Sequence, residues 1–429
     1  MVIVFVLVGL LALAAVAGLY WYVWRRLVRD TTSGPGLARR AGTVVFVAGP
    51  VLMIAAVAAE RAGAPFRLQQ VLAWPGFLWM ALSIYLLLGV VAGEVVRPLL
   101  RRVMERRAAP SAAVPQPAPV RHPAPVPHPE PVPVPTGAAA PQEPSPAEPT
   151  RPVTTPSRRL FVSRAVGGAA AAVALGTVGY GTYGVLRGPR VKRVTVPLAK
   201  LPRSAHGYRI AVVSDIHLGP TLGRDFCQRV VDTINSTQPD LIAVVGDLVD
   251  GSVKDLGPAA APLARLRARH GSYFVTGNHE YYSGAAQWVR EVRELGLHPL
   301  ENARTEMAGF DLAGVNDVAG ESEGHGPDFG RALGDRDTAR AVVLLAHQPV
   351  QIHDAVKHGV DLQLSGHTHG GQLWPGNYLA ELANPTVAGL ERYGDTQLYV
   401  SRGAGAWGPP TRVGAPSDIT VVELASPQA

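Results

Sequence analysis

Residues 208–217 read Tyr-Arg-Ile-Ala-Val-Val-Ser-Asp-Ile-His, and residues 241–250 read Leu-Ile-Ala-Val-Val-Gly-Asp-Leu-Val-Asp. Each is a short apolar run that breaks into a small turn residue followed by a carboxylate. An apolar run of about four to eight residues closed in this way has the pattern of a buried strand. The pattern recurs three times. Ser272–Val275 precedes Gly277-Asn278-His279-Glu280, Ala341–Leu345 precedes Ala346-His347-Gln348-Pro349, and Asp361–Leu364 precedes Gly366-His367-Thr368-His369. Phe226, Val230, Val231 and Ile234 fall at helical spacing between the first two runs, as do Trp288, Val289, Val292 and Leu295 later. Strands alternating with helices predict a layered α/β domain. Its site should lie just beyond the carboxyl ends of the strands, where open α/β sheets bind ligands.

The residues at those strand ends share one chemistry. Asp215, His217, Asp247, Asn278, His347, His367 and His369 offer carboxylate and amide oxygens and imidazole nitrogens. Such donors suit Mn, Fe, Zn or Ni, and no thiolate is among them, which argues against a structural zinc site. Two divalent ions about 3.5–4 Å apart lower the pKa of a water and clamp phosphate oxygens. The two aspartates leave a pair of dications net positive, so a phosphate anion is drawn in. The histidines at 206, 270, 298, 325, 353 and 358 belong to no motif and read as incidental.

With these motifs in this order, the chain from Val194 to about Leu424 resembles the calcineurin-like metallophosphoesterase superfamily. The resemblance implies a four-layer α/β/β/α sandwich and a dinuclear site. By it, Asp215, His217, Asp247 and His369 would hold one metal. Asp247 would bridge to a second, held also by Asn278, His347 and His367. His279 would be the imidazole that faces the substrate and protonates the leaving oxygen, and Asp250 would orient it. Adjacent residues such as Asn278 and His279 can point to opposite sides, and a histidine near neutrality suits a general acid. The segments Gly370-Gly371-Gln372, Tyr399–Gly403 and Pro409–Arg412 resemble a membrane-associated bacterial, phosphodiesterase-type branch. Arg402 and Arg412 are candidate phosphate contacts there, a guanidinium fork matching that geometry. Their other reading is as surface residues or partners of the domain's own carboxylates. Glu280 reads as a supporting residue, and Asn316 and Asp317 as a turn.

The first part of the 429-residue chain is different in kind. Residues 2–24, 41–59 and 71–93 are apolar and long enough to span a bilayer, and no charged residue interrupts them. The first lacks the basic start of a secretory signal and reads as an anchor. Arg25, Arg26, Arg29, Arg39 and Arg40 follow the first stretch, and Arg97, Arg101, Arg102, Arg106 and Arg107 follow the third. The positive-inside rule puts both clusters in the cytoplasm. Residues 108–156, rich in Pro and Ala, read as an extended linker. Arg158-Arg159-Leu160-Phe161, leading into the small-residue run Ala165–Leu186, looks like a twin-arginine export signal on a fourth span. That signal predicts passage by the twin-arginine export machinery and a catalytic domain at 190–425 outside the cytoplasm. Arginines on both sides of the run leave local charge undecided.

The net charge of +7, from 40 basic and 33 acidic residues, comes mostly from the arginines beside the spans. It reads as topology and contact with anionic lipid. Nucleic-acid binding is not expected, for no basic helix carries interleaved aromatics. The single cysteine, Cys227, permits no internal disulfide and reads as a buried small side chain. The expected function is a membrane-anchored phosphoesterase cleaving a phosphodiester in a lipid or cell-envelope substrate. Alternatives are a phosphomonoesterase or a pyrophosphohydrolase of a nucleotide-linked lipid, a non-enzymatic metal-binding module, and a transporter with an accessory hydrolase. The uninterrupted apolar spans disfavour the last.

Overall fold

A computed structural model describes residues 2–108 and 158–429. The linker at 108–156 lies outside them apart from Ala108, as does Ser157. Four apolar helices come first: α1 (Val2–Trp24), α2 (Leu37–Arg61), α3 (Phe66–Ala108) and α4 (Arg158–Leu186). All four are long and apolar enough to cross a membrane. Helix α1 coincides with its apolar stretch and the other three extend beyond theirs, most of all α3, whose polar C-terminal turns continue the helix past residue 93.

Helix α3 packs between α2 and α4 through small residues. Gly76 lies against Leu52 and Ala56 of α2, and Gly89 against Ala170 of α4. A Cβ at Gly93 would stand 2.6 Å from Val166 Cγ1. Small residues are what allow helices to approach closely in lipid. Arg26 pairs with Glu94 at 2.8 Å, and Arg164 Nε donates to the Thr31 carbonyl at 2.9 Å. The α1–α2 connection, the C-terminal part of α3 and the start of α4 therefore gather at one end of the bundle. At the other end, Phe66 and Leu186 pack against the core of the following domain.

That domain runs from β1 (Arg190–Pro197) through β2 (Tyr208–Val213), α5 (Arg224–Ser236), β3 (Leu241–Val245), α6 (Val253–Ala260), β4 (Ser272–Val275), α7 (Asn278–Ser283), α8 (Ala285–Glu294) and β5 (His298–Pro299). It continues with β6 (Ala303–Glu306), β7 (Phe310–Gly314), α9 (Phe329–Leu333), β8 (Ala341–Leu345), α10 (Ile352–Lys357), β9 (Leu362–Ser365), α11 (Gly376–Ala383), β10 (Gly389–Tyr393), β11 (Thr396–Val400) and β12 (Asp418–Ala425). The strands form two six-stranded sheets, ordered β1-β12-β2-β3-β4-β5 and β10-β11-β9-β8-β7-β6. The centre of each sheet is parallel: β2, β3, β4 and β5 in one, β7, β8, β9 and β11 in the other.

Alternation along the strands makes four layers, since successive side chains point to opposite faces. Ile210, Val212, Leu241, Ala243 and Val245 of one sheet meet Leu312, Val343, Leu345, Leu362 and Leu364 of the other. Ala211, Val213, Ile242 and Val244 face outward onto Phe226, Val230, Ile234, Trp288 and Val292 of α5 and α8. Ala313, Val342 and Leu344 face outward onto Phe329, Ile352 and Ala355 of α9 and α10. This is the α/β/β/α sandwich, and burial on both faces explains why its strands read as unbroken apolar runs. Cys227 is wholly buried in the α5 layer.

Candidate metal centre

Every motif read from the sequence lies just after a central parallel strand, β2, β3 and β4 in one sheet and β8 and β9 in the other, with Asn278, His279 and Glu280 in the first turn of α7. The loops of the two sheets converge. Asp215, His217 and His369 place ligand atoms within 4.8 Å of one another, and so do Asp247, His347 and His367. One oxygen of Asp247, Oδ2, stands 3.1 Å from His347 Nε2 and 3.8 Å from His217 Nε2, so a single carboxylate reaches both groups. Asn278 Oδ1 lies 3.0 Å from His367 Nδ1 and joins the second group. Asp215, His217, Asp247 and His347 are all at least 98 % buried.

The backbone is bent to achieve this. Asp215, His217, Asp247, His367 and His369 all have positive φ, between 49° and 73°. Left-handed backbone costs a non-glycine residue about 1–2 kcal/mol, and such strain collects where surrounding structure holds a site in place. Gly246, at φ 74°, leaves room for this turn: a Cβ there would lie 2.6 Å from Gly277 N and 2.7 Å from His347 Nδ1. A Gly246→Ala substitution is therefore expected to cost on the order of 3 kcal/mol of stability. A thermal melt should show the loss, and bound metal should fall with it.

Outer contacts aim the imidazoles. His347 Nδ1 donates to the Val245 carbonyl at 2.8 Å, which turns Nε2 toward Asp247. Asp250 takes His217 Nδ1 at 2.8 Å and His279 Nδ1 at 2.7 Å with the same oxygen, Oδ1. Asp250 thus orients a metal-group histidine as well as His279. Glu280, wholly buried, accepts the backbone N–H groups of Asp247 (3.0 Å), Leu248 (2.7 Å) and Gly277 (2.6 Å), fixing the turn that carries Asp247. Burial, aided by the Asp247 charge, pushes the Glu280 pKa up to about 7. Asp317 is a turn residue as read: its side chain caps Ala319 N at 2.8 Å and accepts from Gln348 at 2.9 Å.

Arg412 is corrected by the structure. Its guanidinium is buried and spent on the carbonyls of Gly405 (2.6 Å), His369 (2.9 Å) and Ala415 (3.2 Å), with His369 Nδ1 at 3.2 Å. It braces His369 instead of reaching a phosphate. Arg402 is half-buried with its stem against Gly370, and among the described residues none hydrogen-bonds its guanidinium.

The electrostatics separate the histidines. Burial lowers the His369 pKa well below the ordinary value, helped by His217 and Arg412, and lowers His367 to about 4. Both keep a lone pair for a cation. His279 goes the other way. Burial alone would lower it, but the hydrogen bond and charge of Asp250, with Asp247 and Glu280, outweigh burial and raise it to about 9. The donor set fits divalent metal: carboxylate and amide oxygens converge with imidazole nitrogens, and His347 Nε2 is buried and makes no hydrogen bond among the described residues.

Comparison with known proteins agrees with this geometry. The family of calcineurin-like phosphoesterases matches residues 208–371. A Danio rerio protein described as a transmembrane protein with metallophosphoesterase domain is 40% identical over 259 residues, covering 57% of this chain and 59% of its own. A metallophosphoesterase of Helicobacter pylori (strain J99) is 38% identical over 256 residues, 58% of this chain and 68% of its own. One from Aquifex aeolicus is 36% identical over 240 residues, 55% of this chain and 91% of its own. The chain belongs to the calcineurin-like metallophosphoesterase family, a class of metal-dependent phosphoester hydrolases. It spans about three-fifths of the Danio rerio relative's length.

Proposed function

We propose that this chain is a membrane-anchored phosphoesterase that hydrolyses a phosphodiester in a lipid or cell-envelope substrate. The observation that carries the reading is Asp247, placed between two groups of metal donors. Asp215, His217 and His369 would hold one ion, Asn278, His347 and His367 the other, with Asp247 shared. Bound there, two divalent ions supply an activated water and neutralise charge on the phosphate. His279 Nδ1 is held by Asp250, so its other nitrogen is free to give a proton to the leaving oxygen. Arg402 remains the candidate phosphate contact. Tyr282 and Trp407, 73% and 56% exposed, flank His279 at ring distances of 5.4 and 5.7 Å. Such an aromatic rim suits a substrate with an apolar part.

Anchoring is read from the four apolar helices. The arginines at 25–40, 97–107 and 158–164 belong to the bundle end away from Phe66 and Leu186, which meet the catalytic domain. Weighing these clusters above Arg187, Arg190, Lys192 and Arg193 at the other end, we read the domain as outside the cytoplasm by the positive-inside rule, in keeping with Arg158-Arg159 as a twin-arginine export signal. Membrane lipids and the export machinery are the partners this implies. Two assays test the reading. The purified chain should turn over bis-p-nitrophenyl phosphate in preference to p-nitrophenyl phosphate; turnover of the monoester alone would sink the phosphodiester assignment. Protease added to intact cells should digest the C-terminal domain, and protection of that domain would overturn the orientation.

A further inference from the structure

Helix α11 has no buried residue, yet its exposed side chains are large and apolar. Trp374, Tyr378, Leu379 and Leu382 are 49%, 59%, 71% and 84% exposed. Tyr378, Leu379 and Leu382 with Ala383 fall on one side of α11, Trp374 lies just before it, and Asn377, Glu381 and Asn384, spaced four and three apart, mark an adjacent polar edge. A contiguous apolar stripe of this kind on a protein surface marks a contact.

The residues leading into α11 identify what it contacts. Leu373 and Val413 pack against the apolar cluster of the helix bundle, which contains Tyr85 and Leu86 of α3 and Ala174 and Val178 of α4. Tyr85 Oη donates to the Trp374 carbonyl at 3.0 Å. Tyr85 lies within the apolar stretch 71–93. The segment that starts α11 is therefore docked on α3 within its apolar stretch, which the reading of the four helices as spans sets in the bilayer. Irregular backbone survives there only if its polar groups are satisfied within the protein. Several of them are: Trp374 N donates to Val413 O at 2.9 Å, Val413 N to Gln372 O at 2.8 Å, Gly376 N to Leu373 O at 2.7 Å and Tyr378 N to Pro375 O at 3.1 Å, while the buried Asn377 Oδ1 has no partner among the described residues. Near the opposite end of α2, Glu60 is within electrostatic reach of Asp250, His279 and His217, so the bundle also flanks the catalytic histidine.

We propose that Trp374 and the Tyr378-Leu379-Leu382 face of α11 are seated in the lipid bilayer beside α3 and α4, as a lipid-facing helix of the catalytic domain. This follows five residues after Thr368-His369, so the helix ties the last metal-site loop to the membrane and sets the site's mouth against the leaflet. The proposal rests on reading the four apolar helices as membrane spans; it does not depend on which phosphoester is cleaved.

Site-directed fluorescence on the full chain tests it without reading activity. Leu382→Cys is labelled with nitrobenzoxadiazole after reconstitution into phosphatidylcholine–phosphatidylglycerol vesicles, the native Cys227 being fully buried. Arg269→Cys, at a loop preceding β4 and 73% exposed in its side chain, is the aqueous control. The expected result is at least twofold stronger quenching of the Leu382→Cys label by spin-labelled lipid than of the control, with weaker quenching by iodide. A label at Leu382→Cys that iodide reaches as readily as the control overturns the proposal. So does a label shielded from both quenchers, which would mark a protein contact such as a second copy of this chain.

Discussion

An Asp247→Asn chain is expected to hydrolyse bis-p-nitrophenyl phosphate about a thousandfold more slowly in kcat/KM than the native chain. That factor corresponds to about 4 kcal/mol of transition-state stabilisation. The reason is geometric. Oδ2 of Asp247 stands within 4 Å of both His217 Nε2 and His347 Nε2. Its charge also holds the two donor groups together: His347 holds the Asp247 pKa well below the usual carboxylate range against the opposing effect of burial. An amide keeps the shape, and its oxygen can still accept the His279 backbone N–H that Oδ1 accepts at 2.9 Å. It loses the negative charge shared between two cations. Bound metal, read by mass spectrometry, should fall from about two ions per chain to one or fewer, while circular dichroism and the thermal midpoint stay near native. Full activity with full metal content would show that Asp247 is not shared.

Much of this was legible in the sequence, for a local reason. A strand buried on both faces writes its whole length in apolar residues, and the turn after it writes the ligand. Tyr208–Val213, Leu241–Val245, Ser272–Val275 and Ala341–Leu345 coincide with β2, β3, β4 and β8; the last run is displaced by one residue, Asp361–Leu364 against Leu362–Ser365. What the sequence withheld depends on contacts between distant segments. Asp250 is legible as a partner of His279, but its bond to His217 across 33 positions is not. Arg412 looks like a phosphate ligand because its partners are backbone carbonyls, which no side-chain pattern declares, and one of them, His369, lies 43 positions away. Glu280 looked secondary, since its three backbone donors lie in two different loops. Helix α11 gave no signal, because eight residues after Trp-Pro-Gly cannot declare an apolar face without the bundle they meet.

His279→Ala is expected to lower kcat by about a hundredfold or more on an alkyl phosphodiester and to leave metal content unchanged, since it lies outside the two donor groups that share Asp247. Bis-p-nitrophenyl phosphate should lose much less, because p-nitrophenolate departs without a proton. That contrast separates a proton donor from a residue that only shapes the pocket; equal losses on the two substrates would remove His279 from the role. Asp250→Asn should behave differently. It loosens His217 as well as His279, so it should weaken metal affinity about 10–100-fold, as loss of an outer partner does, and slow turnover together. It should also move the pH profile. A general acid works in its protonated form, so the rate falls as pH rises through the His279 pKa. The hydrogen bond and charge of Asp250 raise that pKa against burial, toward about 9. With the carboxylate gone the burial penalty remains, the folded-state pKa drops, and the alkaline limb of kcat shifts to lower pH. Positive charge in the adjacent metal groups lowers both values alike, so the comparison is between native chain and variant at saturating metal. An alkaline limb that stays in place in Asp250→Asn would mean that it reports some other group, and that Asp250 serves the metal site through His217 alone.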